Sequence, residues 1–172
     1  MMLTGSEIHR MVHAGKVVIE PFNEQQLEQN SYGCRLGAEL LEYTSSDIDP
    51  HAGLEVRTHR IPEEGFVLLP NRFYLGTTAE RIGGINFASE LYANVSAAAC
   101  GMFIQTSAPL GHTGAVICWT LEIVVAQPLR VYAGARIAKV CFWTNLGQER
   151  SYQGRYVGSD GVVPSRIIMD TK

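Results

Sequence analysis

The segment GAVICWTLEIVVA, residues 114–126, carries a single charged residue, Glu122. A lone carboxylate beside Leu121, Ile123 and Val124 on a strand has its ionised form disfavoured by desolvation. Its pKa then rises toward the range in which one side chain can both take up and return a proton, as a general base and proton shuttle must. The competing reading is structural, an acid paired with an arginine or a backbone amide. The four cysteines, Cys34, Cys100, Cys118 and Cys141, are too far apart for a zinc ribbon, a redox CxxC pair or a compact disulfide framework. Cys118 and Cys141 lie in apolar stretches and read as buried free thiols, which fits a reducing cytoplasm. His112 follows a glycine in a loop. His9, His13, His51 and His59 read as solvated surface.

The chain of 172 residues, 46% hydrophobic and 18% charged, suits one domain, residues 1–172, with a sizeable core. A net charge of -3 argues against nucleic acid as a partner. No apolar run approaches the roughly 18 residues of a membrane helix. The start, MMLTGSEIHR, has no basic region followed by an apolar core, so a signal peptide is not expected.

The elements that would hold Glu122 are mostly strands. Thr4-Gly5-Ser6-Glu7 has the form of a capping box, Ile8, Met11 and Val12 follow at helical spacing, and Gly15 ends the helix. Then come VVIEPF, RLGAELLEY, GFVLLP, RFYLGTTAE, GMFIQTSA, GAVICWTLEIVVA, LRVYAG and RIAKVCFW, mostly parted by glycine or proline. Short strands at about ten-residue spacing predict an all-β sandwich or barrel with an added helix. SAAAC predicts a short helical turn that Ser96 would cap. The polar stretch from residue 148 to the end, with Gly154, Gly158 and Gly161, reads as a mobile lid.

Five segments, LTGSEIHRMVHAGKVVIEPF, NSYGCRLG, SAPLGHTGAVICWTLEI, LRVYAGARIAKVCF and YQGRYVGSDGVVPSRI, together resemble the dCTP deaminase branch of the dUTPase superfamily. The resemblance implies a distorted jelly-roll or β-barrel, a homotrimer with active sites at subunit interfaces, and a C-terminal lid. It also implies deamination of a cytosine ring by water activated on Glu122, with Ser107 and Ala108 beside it. No cofactor is required for that step, and Mg2+ enters only if a nucleotide phosphate is bound. The zinc deaminase signature, H-x-E with P-C-x-x-C, is absent.

The remaining candidate substrate contacts are Asn94, Ser96, Gln105, Thr106, His112, Trp119, Thr120, Tyr152, Arg155, Tyr156 and Ser159. Trp119 reads as packing more than as a stacking platform, and Arg155 is the cation best placed for a phosphate.

The family segment G-R-S-S-x-A-R-x-G falls on ANVSAAACG, Ala93 to Gly101, and T-A-H-R-I-D-P-G falls on SAPLGHTG, Ser107 to Gly114. Three family arginines become Asn94, Ala99 and Leu110, the aspartate becomes His112, and a lid glutamine becomes Ser159. Each charge-assisted bond to a phosphate contributes roughly 1.5–3 kcal/mol, so a substrate with fewer phosphates than dCTP is expected. The alternatives are a non-catalytic nucleotide-binding trimer and, with less support, a dUTPase-type diphosphohydrolase.

Overall fold

Thr4 opens the first element by accepting the Glu7 amide on its hydroxyl at 3.4 Å, as an N-cap does. Helix α1 (Gly5–His13) follows, with Ile8 and Met11 facing inward. The Glu7 carboxylate turns to Arg10 rather than back to the cap, so only half of the capping box forms. Gly15, at φ 66°, supplies the left-handed residue that ends the helix. The computed structural model describes residues 1–49, 51, 54–105 and 107–167.

Strands β1 (Val17–Glu20), β2 (Tyr32–Arg35), β3 (Glu39–Tyr43), β4 (Val56–Arg60), β5 (Phe66–Leu68), β6 (Tyr74–Gly84) and β7 (Phe87–Ala93) precede a short helix, α2 (Val95–Ala99). Strands β8 (Met102–Ile104), β9 (Leu110–Gly111), β10 (Ile117–Val125), β11 (Leu129–Val131) and β12 (Arg136–Thr144) complete the order. One sheet runs β4-β3-β6-β10-β8, with β1 also on β6; a second runs β2-β12-β7-β9; β11 and β5 form a third. All pairings are antiparallel. Leu40, Tyr74, Leu121 and Ile123 of the first sheet and Cys34, Leu91, Val140 and Phe142 of the second belong to one hydrophobic cluster. The protein is mainly β, as its turn spacing predicts. Among the described residues no helix is long and apolar enough to cross a membrane.

Side chains alternate across a strand, so burial reveals which face each serves. On β10, Leu121, Ile123 and Val125 are buried in the core, while Thr120, Glu122 and Val124 face the other way and are partly covered. Between Cys118 and Thr120 the partner on β6 jumps from Arg81 to Thr77, a bulge carried by β6. The Thr78 hydroxyl fills the gap in the ladder: it accepts the Trp119 amide at 2.9 Å and donates to the Glu80 carbonyl at 2.7 Å.

Three local expectations change. The strand expected over GMFIQTSA stops at Ile104, because Gln105 adopts φ 53° and turns the chain out of the ladder. The helical turn at SAAAC exists, but its cap is Asn94, whose Oδ1 accepts the Ala97 amide at 2.7 Å; Ser96 lies inside the helix. Strands β2, β4, β7 and β9 were not anticipated from the sequence. β4 is a polar, mostly exposed edge, and β7 buries Ser89 where an apolar residue would complete the alternation.

Candidate active site

The outward face of the first sheet is assembled by register. Glu122 of β10 stands opposite Leu75 of β6, and Leu75 opposite Leu41 of β3. Across this face lies the C-terminal segment, residues 151–167, held by hydrogen bonds to the strands. The Tyr152 amide donates to the Thr113 carbonyl at 2.8 Å, and the Cys118 amide to the Ser159 carbonyl at 3.1 Å. The Thr120 hydroxyl accepts the Val163 amide at 3.1 Å and donates to the Val163 carbonyl at 3.4 Å. The Ser165 amide donates to the Tyr43 hydroxyl at 2.8 Å. Between sheet and segment is a cavity of about 400 Å³ that contains Glu122.

Glu122 is half-buried, and burial pushes its carboxyl above the usual carboxylate range. Among the described residues no arginine, lysine or backbone amide bonds to that carboxylate. Its backbone is fixed instead. Its amide donates to Gln105 Oε1 at 2.8 Å, and its carbonyl accepts the Gln105 amide at 3.2 Å. Gln105 thus continues by side chain the pairing that β8 gives up at Ile104, leaving the Glu122 carboxylate open to the cavity.

Of the residues singled out in the sequence, Gln105, Ala108, His112, Trp119 and Thr120 line this cavity. So do Tyr152, Tyr156 and Ser159 from the C-terminal segment. The His112 ring stacks on Tyr152, centroids 5.5 Å apart and planes 18° from parallel. Trp119 is packed, its Nε1 donating to the Ile82 carbonyl at 3.2 Å and its ring edge against Gly111, where any Cβ would collide with it. Ser159 is buried and its hydroxyl donates to the Tyr156 carbonyl at 2.8 Å. Cys118 also faces the cavity, but burial raises its thiol, which makes it a poor nucleophile.

Other candidates lie apart. Ser107 is exposed and is not part of the cavity wall, and Thr106 falls outside the described residues. Arg155 donates from Nη1 to the Arg166 carbonyl at 3.1 Å, off the cavity wall. Asn94 and Ser96 sit at a second hollow of about 330 Å³ with Arg136, Lys139 and Glu28. Of the three positions where the family carries arginine, only Leu110 borders the Glu122 cavity. Among the described residues, no lysine or arginine lines that cavity, and no three His, Cys, Asp or Glu side chains are grouped to hold a metal ion. The sequence reading missed Tyr43 and Phe73, which line the cavity from β3 and from the residue before β6.

Residues 2–145 match the family described as dCTP deaminase-like. The chain belongs to the dCTP deaminase-like family. It is 39% identical over 171 residues to the dCTP deaminase, dUMP-forming, of Leptospira biflexa, covering 99% of this chain and 98% of that one. The enzyme of the same name from Clostridium acetobutylicum is 36% identical over 172 residues, with 99% and 98% covered. The crystal structure of 2'-deoxycytidine 5'-triphosphate deaminase from Agrobacterium tumefaciens shares the fold at a TM-score of 0.65 and 18% identity. That match covers 82% of this chain and 47% of the longer solved chain. This member of the dCTP deaminase-like family carries an acid on β10 and places its C-terminal segment over it.

Proposed function

We propose that this chain is a hydrolytic deaminase of a cytosine nucleotide or nucleoside, with Glu122 as the base that activates water. The observation that carries the reading is the Glu122 carboxylate, raised by burial, open to the cavity and unpaired among the described residues. Ionised, Glu122 takes a proton from water as the oxygen bonds to C4 of the ring. Protonated, it returns that proton toward the amino nitrogen. The C4–N bond breaks, ammonia leaves, and the hydroxyl left on C4 gives its proton to N3, forming the ring carbonyl of the uracil product. No metal is assigned a part in this step.

The substrate we favour carries fewer phosphates than dCTP. The cavity wall contributes neither lysine nor arginine among its described residues, and a bound triphosphate demands several cations. A second reading takes dCTP itself and is favoured by the names of the relatives, dCTP deaminase, dUMP-forming. It requires phosphates to be met from outside the cavity. On this reading the hollow with Asn94, Ser96, Arg136 and Lys139 supplies two cations, brought up by a neighbouring subunit of a homotrimer.

The deciding experiment measures ammonia release from cytosine, cytidine, deoxycytidine and their mono-, di- and triphosphates, with Glu122→Gln as control and light scattering to count subunits. Turnover of a low-phosphate compound that vanishes in Glu122→Gln supports the first reading. Turnover of dCTP alone, by a trimer, supports the second. Silence across the panel, with melting shifted by a cytosine nucleotide, overturns both in favour of a binding protein.

A further inference from the structure

A planar substrate needs a wall that fixes the tilt of its ring, and the cavity's aromatic side chains do not serve equally. The Trp119 ring is buried in the core and its N–H is engaged. The Tyr152 ring is stacked on His112. Arg166 lies over the Tyr156 ring, 5.5 Å from its centroid. Phe73 differs. It directly precedes Tyr74, the first residue of β6, whose side chain points into the core, so Phe73 points to the cavity side and remains 43% exposed. On the same face Leu75 and Thr77 are both buried.

Register places that open ring next to the acid. Leu75 stands opposite Glu122, and Phe73 is two residues before it, a diagonal neighbour about 7–8 Å away in an antiparallel pair and somewhat nearer between Cβ atoms. Leu75 also stands opposite Leu41, so Tyr43 comes alongside Phe73. The two rings are parallel within 6°, centroids 6.5 Å apart, and both line the Glu122 cavity. The Tyr43 hydroxyl is held by the Ser165 amide, so the pair is anchored to the segment covering the site.

Resting on the deaminase reading above, we propose that Phe73, backed by Tyr43, is the platform on which the substrate's pyrimidine ring stacks with its C4 edge turned to Glu122. Phe73 is a positioning residue: it fixes the ring plane and leaves the proton transfers to Glu122. Stacking on an open ring tolerates either sugar, so the platform acts alike on ribo- and deoxyribocytidine compounds. Attack at C4 requires reacting atoms about 3–3.5 Å apart, which a ring free to tilt seldom satisfies.

The test compares Phe73→Leu, which keeps bulk but loses the aromatic face, with Phe73→Trp, which keeps the face. Turnover is read with cytidine, deoxycytidine, dCMP and dCTP as probes. Binding of the same probes is read by calorimetry in a Glu122→Gln background, where no turnover intervenes. Phe73→Leu is expected to lower kcat/KM and weaken binding about 10–100-fold, the range of base–aromatic stacking, while Phe73→Trp stays within a few-fold of the parent. Equal behaviour of the two variants, whether both intact or both impaired, overturns the platform. Melting temperatures of each variant separate misfolding from a lost contact, and a folded Phe73→Leu that binds like the parent also overturns it. If the parent deaminates none of the probes, the deaminase reading fails and the platform with it; if the parent is active and Phe73→Leu matches it, the platform alone fails.

Discussion

Glu80 and Glu122 are carboxylates on neighbouring strands of one sheet, pointing to opposite faces. Glu80 faces inward from β6 and is fully buried. Its Oε1 accepts Arg35 Nε at 2.6 Å and Gln26 Nε2 at 3.1 Å, and its Oε2 accepts the Arg35 amide at 2.9 Å. Glu122 faces outward from β10, half-buried, and its carboxylate meets no donor among the described residues. The first acid is surrounded by donors and so is fixed in place. The second is left without them, which costs the folded state something and leaves the group able to exchange a proton. What sets the proposed catalytic acid apart is therefore not burial alone but burial without compensation, at the wall of a cavity.

Removing each carboxylate should break this comparison most sharply. Glu122→Gln is expected to lower turnover about 10²–10⁴-fold with the fold unchanged, checked by ammonia release alongside circular dichroism. Glu80→Ala leaves Arg35 and Gln26 without their partner, and breaking a buried pair costs about 3–5 kcal/mol. Thermal melting should fall by roughly 6–20 °C for a domain of this size, while activity per folded molecule persists. Smaller in effect is Thr120→Val, which removes both bonds from the Thr120 hydroxyl to Val163. At about 1 kcal/mol per bond, protease cleavage within 151–167 should quicken several-fold, and unchanged cleavage would mean the segment is held elsewhere.

The smallest effect concerns pH. Because the folded-state pKa of Glu122 is raised, the folded protein holds more protons than the unfolded chain between the ordinary carboxylate range and the raised value. Stability therefore declines as pH rises through that window, and the penalty persists at neutrality. Glu122→Gln should melt slightly higher than the parent at pH 7, by a few degrees at most, and the gain should vanish near pH 3, below both values. Turnover should run the opposite way in the parent, increasing with pH as Glu122 ionises. A flat rate profile across that window would assign the base role elsewhere.

Glu122 was visible in the sequence because one acid in an apolar run has few explanations. Glu80 was not, because its partners are 45 and 54 residues away and only the sheets bring them together. Helix α1 was legible from Thr4 and Gly15, since caps are local. The end of β8 was not, because nothing in IQTSA announces that Gln105 takes a left-handed turn and then spans the gap with its side chain. Phe73 and Tyr43 escaped for a related reason: each reads as an ordinary strand residue until the pairing of Leu41 with Leu75 sets them side by side. Asn94 and Ser96 were legible as a motif but not as to place, and within one chain they belong to a different hollow from Glu122.

The bulge on β6 has a consequence for how this protein tolerates inherited change. Two additional β6 residues are accommodated opposite Trp119, an even number, so Arg81, Thr77 and Leu75 stay on one face of β6, while β10 itself alternates without interruption from Cys118 to Glu122. Gain or loss of one codon between Trp119 and Glu122 would be odd. It would drive the acid into the apolar interior and turn Leu121 or Ile123 outward in its place. Lineages of this protein should therefore vary freely in amino-acid type along the exposed β4 edge, yet keep the residue count between Trp119 and Glu122 constant.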